Sequence, residues 1–359
     1  MTRFAFIIHP ITPDDVARKY PITRYLPDAL VEAVMARTPA QAVSTITGVR
    51  STTGEETEGW FVGCPLTTRR LAQGDPRRAV AKVIEAARVA EGLGAQIVGL
   101  GAFTAIVGDG GREVADAVDI AVTTGNSYTV ATAVEGTLQA AELMAIDPGA
   151  ATAAVLGATG SIGRICAHLL ADRVPRIILV GRRREGLVEV AGELADRGAQ
   201  VEISLSAAES VPQADLVVTV TSAVEAVIEP EMLRPGSVVC DVARPRDVSV
   251  RVAAERDDVL VIEGGAVAVP GDVRFNFNFG FPPGTAYACM AETMILALEG
   301  RPEGYSIGKR LELERVREIA ALAEKHGFGL AGFRSFERAV DAATIEGIKQ
   351  RARSVAASA

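Results

Sequence analysis

Between residues 152 and 262, short apolar runs recur with polar or amphipathic stretches between them. They lie at 152–156, 176–180, 201–205, 215–220, 237–242 and 259–262. Runs of Val, Ile, Leu and Ala this short suit strands buried on both faces. Strands alternating with helices predict a doubly wound parallel sheet, an α/β Rossmann-type architecture. The first part of the chain is more mixed. It predicts a strand at 4–8, a helix at 27–36 and a hairpin within 42–63. Asp75-Pro76 then opens an amphipathic helix at 76–92. Short strands at 96–103 and 119–125 run into glycine turns, and a helix at 127–146 stops before Asp147-Pro148-Gly149.

Beyond the sixth run come three predicted helices, at 285–299, 311–326 and 335–355, with a frayed tail "RSVAASA". Residues 1–148 thus read as an N-terminal α/β substrate domain. Residues 149–284 read as the Rossmann domain. Residues 285–359 read as C-terminal helices packing back on the N-terminal domain.

Composition narrows the function. With 37 Lys and Arg against 45 Asp and Glu, the net charge is −8, which argues against a general binder of nucleic acid or anionic membranes. The four cysteines are scattered without metal or redox spacing, and three histidines make a metal centre unexpected. The apolar run Phe4–Ile8 is short for a signal peptide, and no run reaches membrane-span length. A cytoplasmic protein without an integral membrane anchor is expected.

The first Rossmann strand leads into Gly157-x-x-Gly160-x-x-Gly163 and then a helix. The first glycine permits a tight turn, the second lets backbone approach a pyrophosphate, and the third lets helix pack on strand. Gly157, Thr159, Gly160, Ser161, Ile162 and Gly163 are therefore candidate dinucleotide contacts. The next strand ends in Arg182, Arg183 and Arg184, where an NAD-selective site places an acid. Guanidinium groups suit a 2′-phosphate, so NADPH is expected over NADH. Thr221 and Ser222 follow the fourth strand and join the cofactor candidates. Asp241, Arg244 and Arg246 follow the fifth and are cleft candidates.

Pro282, Pro283 and Gly284 precede the helix 285–299, with Thr285 a plausible N-cap and Cys289 in or just past the first turn. Exposed N–H groups there favour a thiolate. The helix is apolar nearly all round, so an inert buried thiol is an equally ordinary reading.

Five segments resemble the long-chain acyl-[acyl-carrier-protein] reductases: "GAFTAIV" (101–107), "TTGNSYT" (123–129), "GATGSIG" (157–163), "AYACMAE" (286–292) and "KHGF" (325–328). The resemblance implies NADPH-dependent reduction of a fatty acyl thioester, on acyl carrier protein or CoA, to an aldehyde. It implies an acyl-enzyme on Cys289, with Cys64 of "WFVGCPLTTRR" as the other cysteine to consider. Thr124 and Asn126 are candidate oxyanion holders. Tyr128, which stands where the family carries histidine, is a candidate proton donor beside His9. An acidic carrier would dock on the basic face formed by Arg69, Arg70, Arg77, Arg78, Lys82 and Arg88. Two other readings stand beside this one. A non-covalent NADPH oxidoreductase of shikimate-dehydrogenase or glutamyl-tRNA-reductase type is opposed by the absence of lysine from "CPLTTRRL". A non-catalytic nucleotide-binding module is the other.

Overall fold

The computed structural model describes residues 1–358. The chain forms two compact units, Met1–Tyr128 with Val267–Gly329 and Thr129–Ala266 with Leu330–Ala359, of which Ala359 lies outside the described residues. These limits differ from divisions at 148 and 284. The first limit falls where the helix Asn126–Leu143 begins rather than at the Pro-Gly breaker after it. Residues 267–284 join the first unit because the strand Gly271–Arg274 pairs with its sheet. The C-terminal segment is likewise shared: helices Ala288–Leu298 and Leu313–His326 fall in the first unit and Ala342–Ser358 in the second.

The first unit is built on β1 (Phe4–Ile8), β2 (Gln41–Arg50), β3 (Glu56–Gly63), β4 (Ile97–Leu100) and β5 (Ala121–Thr123). The sheet runs Gly271–Arg274, β2, β3, β1, β4, β5. β1 is parallel to β3 and β4, and β2 and β3 form the expected hairpin. One face carries Ala5, Ile7, Val62, Val98 and Leu100 and packs on the helix Pro76–Gly92 through Ala79, Val83, Ala86, Ala87 and Ala90. Alanines at helical spacing let the helix lie close to the strands. Its start matches expectation because Asp75 caps it, accepting from the Arg77 N–H at 3.0 Å.

The opposite face carries Phe4, Phe6, Phe61 and Gly99, with Phe6 in register beside both Phe61 and Gly99. The helix Ala288–Leu298 packs here. A Cβ on Gly99 would lie 2.1 Å from Thr293 Oγ1, so glycine is required for the close approach. Residues Met290 to Leu298 are all buried, which explains why this helix is apolar all round.

The second unit holds β6 (Thr152–Leu156), β7 (Arg176–Val180), β8 (Gln200–Ser204), β9 (Leu216–Thr219), β10 (Val238–Asp241) and β11 (Leu260–Glu263). Their order is β11-β10-β9-β6-β7-β8, and every neighbouring pair is parallel. This is the doubly wound Rossmann order, with its switch point between β6 and β9. Where one helix over 335–355 was expected, a hairpin comes first. Phe333–Ser335 pairs with Arg338–Val340 through a turn at Phe336 and Glu337, both at positive φ. The helix that follows continues through Ser358, so the tail expected to fray is helical over its described residues.

Candidate active site

The glycine motif fits a dinucleotide. Gly157 sits at φ +79°, and a Cβ there would lie 2.5 Å from the Val220 carbonyl oxygen. A Cβ on Gly163 would lie 2.3 Å from the Gly157 oxygen, so the third glycine serves the helix–strand approach. The helix Ser161–Ala171 starts after Gly160 with no side chain capping it, leaving its first N–H groups for an anion. Thr159 and Gly160 are exposed beside the half-buried Ser161 and Ile162. Arg182, Arg183 and Arg184 follow β7, all exposed, and form no ion pair among the described residues.

Other candidates in this unit are engaged by the protein itself. The Thr221 hydroxyl donates to Asp247 at 2.6 Å and its N–H donates to the same carboxylate at 2.8 Å. Ser222 is exposed. Asp241 accepts from the N–H groups of Ala243, Asp247 and Val248, and burial raises its carboxyl to about 6. It holds the loop after β10 in place. Arg244 and Arg246 pair with the buried Glu263 at 3.6 and 3.1 Å.

In the first unit, Thr285 is not the cap of the nucleophile helix. It lies in the short strand Thr285–Tyr287, and its hydroxyl donates to the Pro282 carbonyl at 2.7 Å. Tyr287 is the N-cap and gives no side-chain cap. Cys289 is then the second helical residue, within the first turn, where the backbone N–H groups lack intrahelical partners. Cys289 is half-buried, whereas Cys64, Cys166 and Cys240 are fully buried. Burial pushes Cys64 and Cys240 up to about 12 and raises Cys166 as well. Cys64 packs in the core beneath the helix Pro76–Gly92, as a neutral thiol.

The turn Thr123–Asn126 abuts this cysteine. Gly125 sits at φ +71°, and a Cβ on it would lie 2.3 Å from both Cα and Cβ of Cys289. Asn126 is the first residue of its helix, not the cap, and is half-exposed. Thr124 is buried, and its hydroxyl donates to the Ser306 carbonyl at 2.5 Å, so it has no proton left for an oxyanion. Tyr128 is buried, with its N–H donating to Glu292 at 2.9 Å.

Glu292 is a site residue that sequence reasoning passed over. It lies one turn beyond Cys289 and is fully buried. The Thr123 hydroxyl donates to it at 2.5 Å, and Ser306 and the Ser127 N–H also contribute. Burial pushes its carboxyl above the usual range, and these donors oppose the shift. The carboxylate caps the start of the helix Asn126–Leu143 from another segment and pins the turn against Cys289. Its place in the quoted "AYACMAE" segment was the one available signal.

His9 is held by two backbone partners. The Phe103 N–H donates to its Nε2 at 3.3 Å, so Nδ1 carries the proton and faces the Pro10 carbonyl at 3.0 Å. Desolvation lowers its pKa to about 4. The expected basic dock is also smaller. Arg69 and Arg70 pair with the buried Glu32 at 2.9 and 3.1 Å, and Lys82 pairs with Glu85 at 2.8 Å. Arg77, Arg78 and Arg88 remain exposed, with no ion pair among the described residues. No group of His, Cys, Asp and Glu suited to a metal occurs among the described residues, and no helix there is long and apolar enough to cross a membrane.

Comparison with known proteins separates the two halves of this picture. The family profile described as shikimate / quinate 5-dehydrogenase matches residues 139–263, a range that holds β6 to β11. Among solved structures, 5-ketofructose reductase of a Gluconobacter species is 12% identical, with TM-score 0.35 over 98% of this chain and 99% of that one. The aminotransferase PigE of a Serratia species is 33% identical over 84% of this chain, which spans only 36% of PigE. The long-chain acyl-[acyl-carrier-protein] reductase of Synechococcus elongatus is 31% identical over 329 residues, covering 88% of this chain and 94% of that protein. A match of that reach takes in both the glycine motif and the Cys289 helix, and the chain belongs to the family of this reductase, a family of Rossmann-type NAD(P)-dependent oxidoreductases.

Proposed function

We propose that the protein reduces a fatty acyl thioester, presented on acyl carrier protein or CoA, to a fatty aldehyde with NADPH, by way of an acyl group on Cys289. The observation that carries this reading is the placement of Cys289, half-buried at a helix start while the other three thiols are fully buried.

A free thiol of pKa near 8.5 is a few per cent thiolate at neutral pH, and a helix start raises that fraction. The Cys289 thiolate attacks the thioester carbonyl carbon. The bond to the carrier sulfur breaks, and that thiolate takes a proton from solvent. One thioester replaces another, so the exchange is close to neutral in energy. The chemistry that NADPH would supply when bound is a hydride for the acyl carbonyl carbon. The resulting oxyanion would be held by backbone N–H groups at the start of the helix Ala288–Leu298, with the half-exposed Asn126 amide as a second donor. Its collapse expels the Cys289 thiolate and releases aldehyde. That collapse requires no proton, so a locked neutral His9 and a buried Tyr128 are no obstacle. On the cofactor side, Arg182 and Arg183 would hold the 2′-phosphate and the start of the helix Ser161–Ala171 would hold the pyrophosphate. Arg77, Arg78 and Arg88 offer a docking face to an acidic carrier.

The profile match over residues 139–263 favours a second reading, non-covalent hydride transfer to a small carbonyl substrate. One experiment separates the two. The protein is incubated with palmitoyl-CoA or palmitoyl carrier protein without NADPH, and adducts are mapped by mass spectrometry. Palmitoyl on Cys289 that leaves as aldehyde when NADPH is added is expected. No adduct on any cysteine, with either carrier, returns the decision to the second reading.

A further inference from the structure

Phe275, Phe277, Phe279 and Phe281 alternate with Asn276, Asn278 and Gly280 just ahead of the Cys289 helix. The segment runs along the edge of β2. The Ser44 hydroxyl donates to the Phe275 carbonyl at 2.8 Å, and the Asn276 amide donates to the Thr45 carbonyl at 3.1 Å. The rings fold inward into one continuous strip. Phe61 lies 5.8 Å from Phe275, 6.3 Å from Phe277 and 5.3 Å from Phe279 between centroids. Phe279 is 5.7 Å from Phe281, and Phe281 is 4.3 Å from Tyr287.

Two further facts give the strip a purpose. Phe61 and Phe275 are buried, but Phe277, Phe279, Phe281 and Tyr287 are only half-buried. A contiguous run of half-open aromatic rings is the kind of surface that receives an apolar ligand. The strip is also continuous with the candidate nucleophile. Tyr287 caps the helix bearing Cys289, and Phe61 shares a sheet face with Phe6 and Gly99, on which that helix packs.

We propose that this strip receives the alkyl chain of the acyl group bound at Cys289, and that its half-open rings Phe277, Phe279 and Phe281 set the chain length accepted. The occupant follows from chemistry. Beside a thiol that takes an acyl group, a run of rigid rings offers apolar faces that match a string of methylenes, and the one guanidinium near it, Arg18, lies against the Gly280 backbone between the rings. The inference rests on the thioester reading, and its test has one arm that does not.

In the first arm, the rate of Cys289 acylation is measured with palmitoyl-CoA and with butyryl-CoA for wild type, Phe279→Ala and Phe279→Leu. The palmitoyl-to-butyryl ratio is expected to fall about tenfold or more in Phe279→Ala, the scale of one lost apolar pocket contact. Phe279→Leu keeps apolar volume where the alanine variant fails to fold, and its ratio falls by a smaller factor. A ratio within about twofold of wild type in both variants overturns the proposal, because the rings then serve stability alone. In the second arm, palmitate binding is measured by calorimetry in Cys289→Ala, with and without Phe279→Ala. A dissociation constant about tenfold weaker with the ring removed supports the strip, even where no cysteine is acylated and the thioester reading has failed. No palmitate binding to the Cys289→Ala protein overturns the strip, whatever the outcome of the first arm.

Discussion

Replacing Gly125 by alanine should disable the site through backbone geometry alone. The added Cβ would lie 2.3 Å from Cα and Cβ of Cys289 and 2.6 Å from its carbonyl oxygen. Carbon atoms rest at about 3.5–4.0 Å, so the gap must open by about 1 Å or more. The atoms in the way cannot rotate aside, since they are the backbone and Cβ of Cys289. The helix cannot recede freely either, because Thr293 is wedged against Gly99. Overpacking of this kind costs about 1–3 kcal/mol, and the +71° φ adds about 1–2 kcal/mol for any side chain. A stiffer unfolded chain returns about 0.4–1 kcal/mol, leaving a net loss of about 1–5 kcal/mol. A 1 Å displacement of the nucleophile should lower aldehyde release about a hundredfold per folded molecule. Gly54→Ala is the control, with φ +101° and nothing within 4 Å of its Cβ. Urea unfolding and NADPH-dependent aldehyde release are measured for both variants. If Gly125→Ala is no less stable than Gly54→Ala and turns over within about threefold of wild type, the contact does not hold Cys289 where it is described.

Three further outcomes are expected. Arg182→Ala with Arg183→Ala should raise the NADPH KM about tenfold to a hundredfold, as loss of charge-assisted bonds implies, and leave NADH untouched; equal loss for both nucleotides would show that these arginines do not read the 2′-phosphate. Cys64→Ala should lose about 1–2 kcal/mol in urea unfolding yet keep the adduct on Cys289, and an adduct that vanishes with Cys64 would make it the nucleophile. For His9, burial lowers the folded pKa to about 4, below the ordinary value of 6.5, so the fold favours the neutral ring. Its stabilising contribution is present above pH 6.5 and is lost as pH falls towards 4. Wild type should lose about 2 kcal/mol more than His9→Gln between those pH values, and parallel curves would refute the assignment.

How much was legible depended on whether the signal was local. The helix Pro76–Gly92 begins where expected because Asp75 and Pro76 sit side by side and cap it. Strands β6 and β7 match residue for residue because each is a closed apolar run between polar punctuation. The same local logic misplaced the start of the nucleophile helix. Thr285 has cap chemistry, but a hydroxyl bond to Pro282 and strand backbone claim it first. Glu292 escaped notice because its partners Thr123 and Tyr128 are 169 and 164 positions away. The basic face was over-read for a like reason: Glu32, far along the chain from Arg69, is the acid that occupies two of its cations. The interleaving of the two units has no local signal, since it depends on Gly271–Arg274 finding β2.

That interleaving has a consequence during synthesis. The first unit needs Val267–Gly329, yet Thr129–Ala266 must emerge from the ribosome before it. At about 5–20 residues per second, translation of that insert takes on the order of ten seconds. Throughout that interval the sheet face of Phe4, Phe6 and Phe61 has neither its helix nor its aromatic segment to cover it. The nascent chain therefore holds an apolar sheet face open during its own manufacture, and slower translation lengthens that exposure.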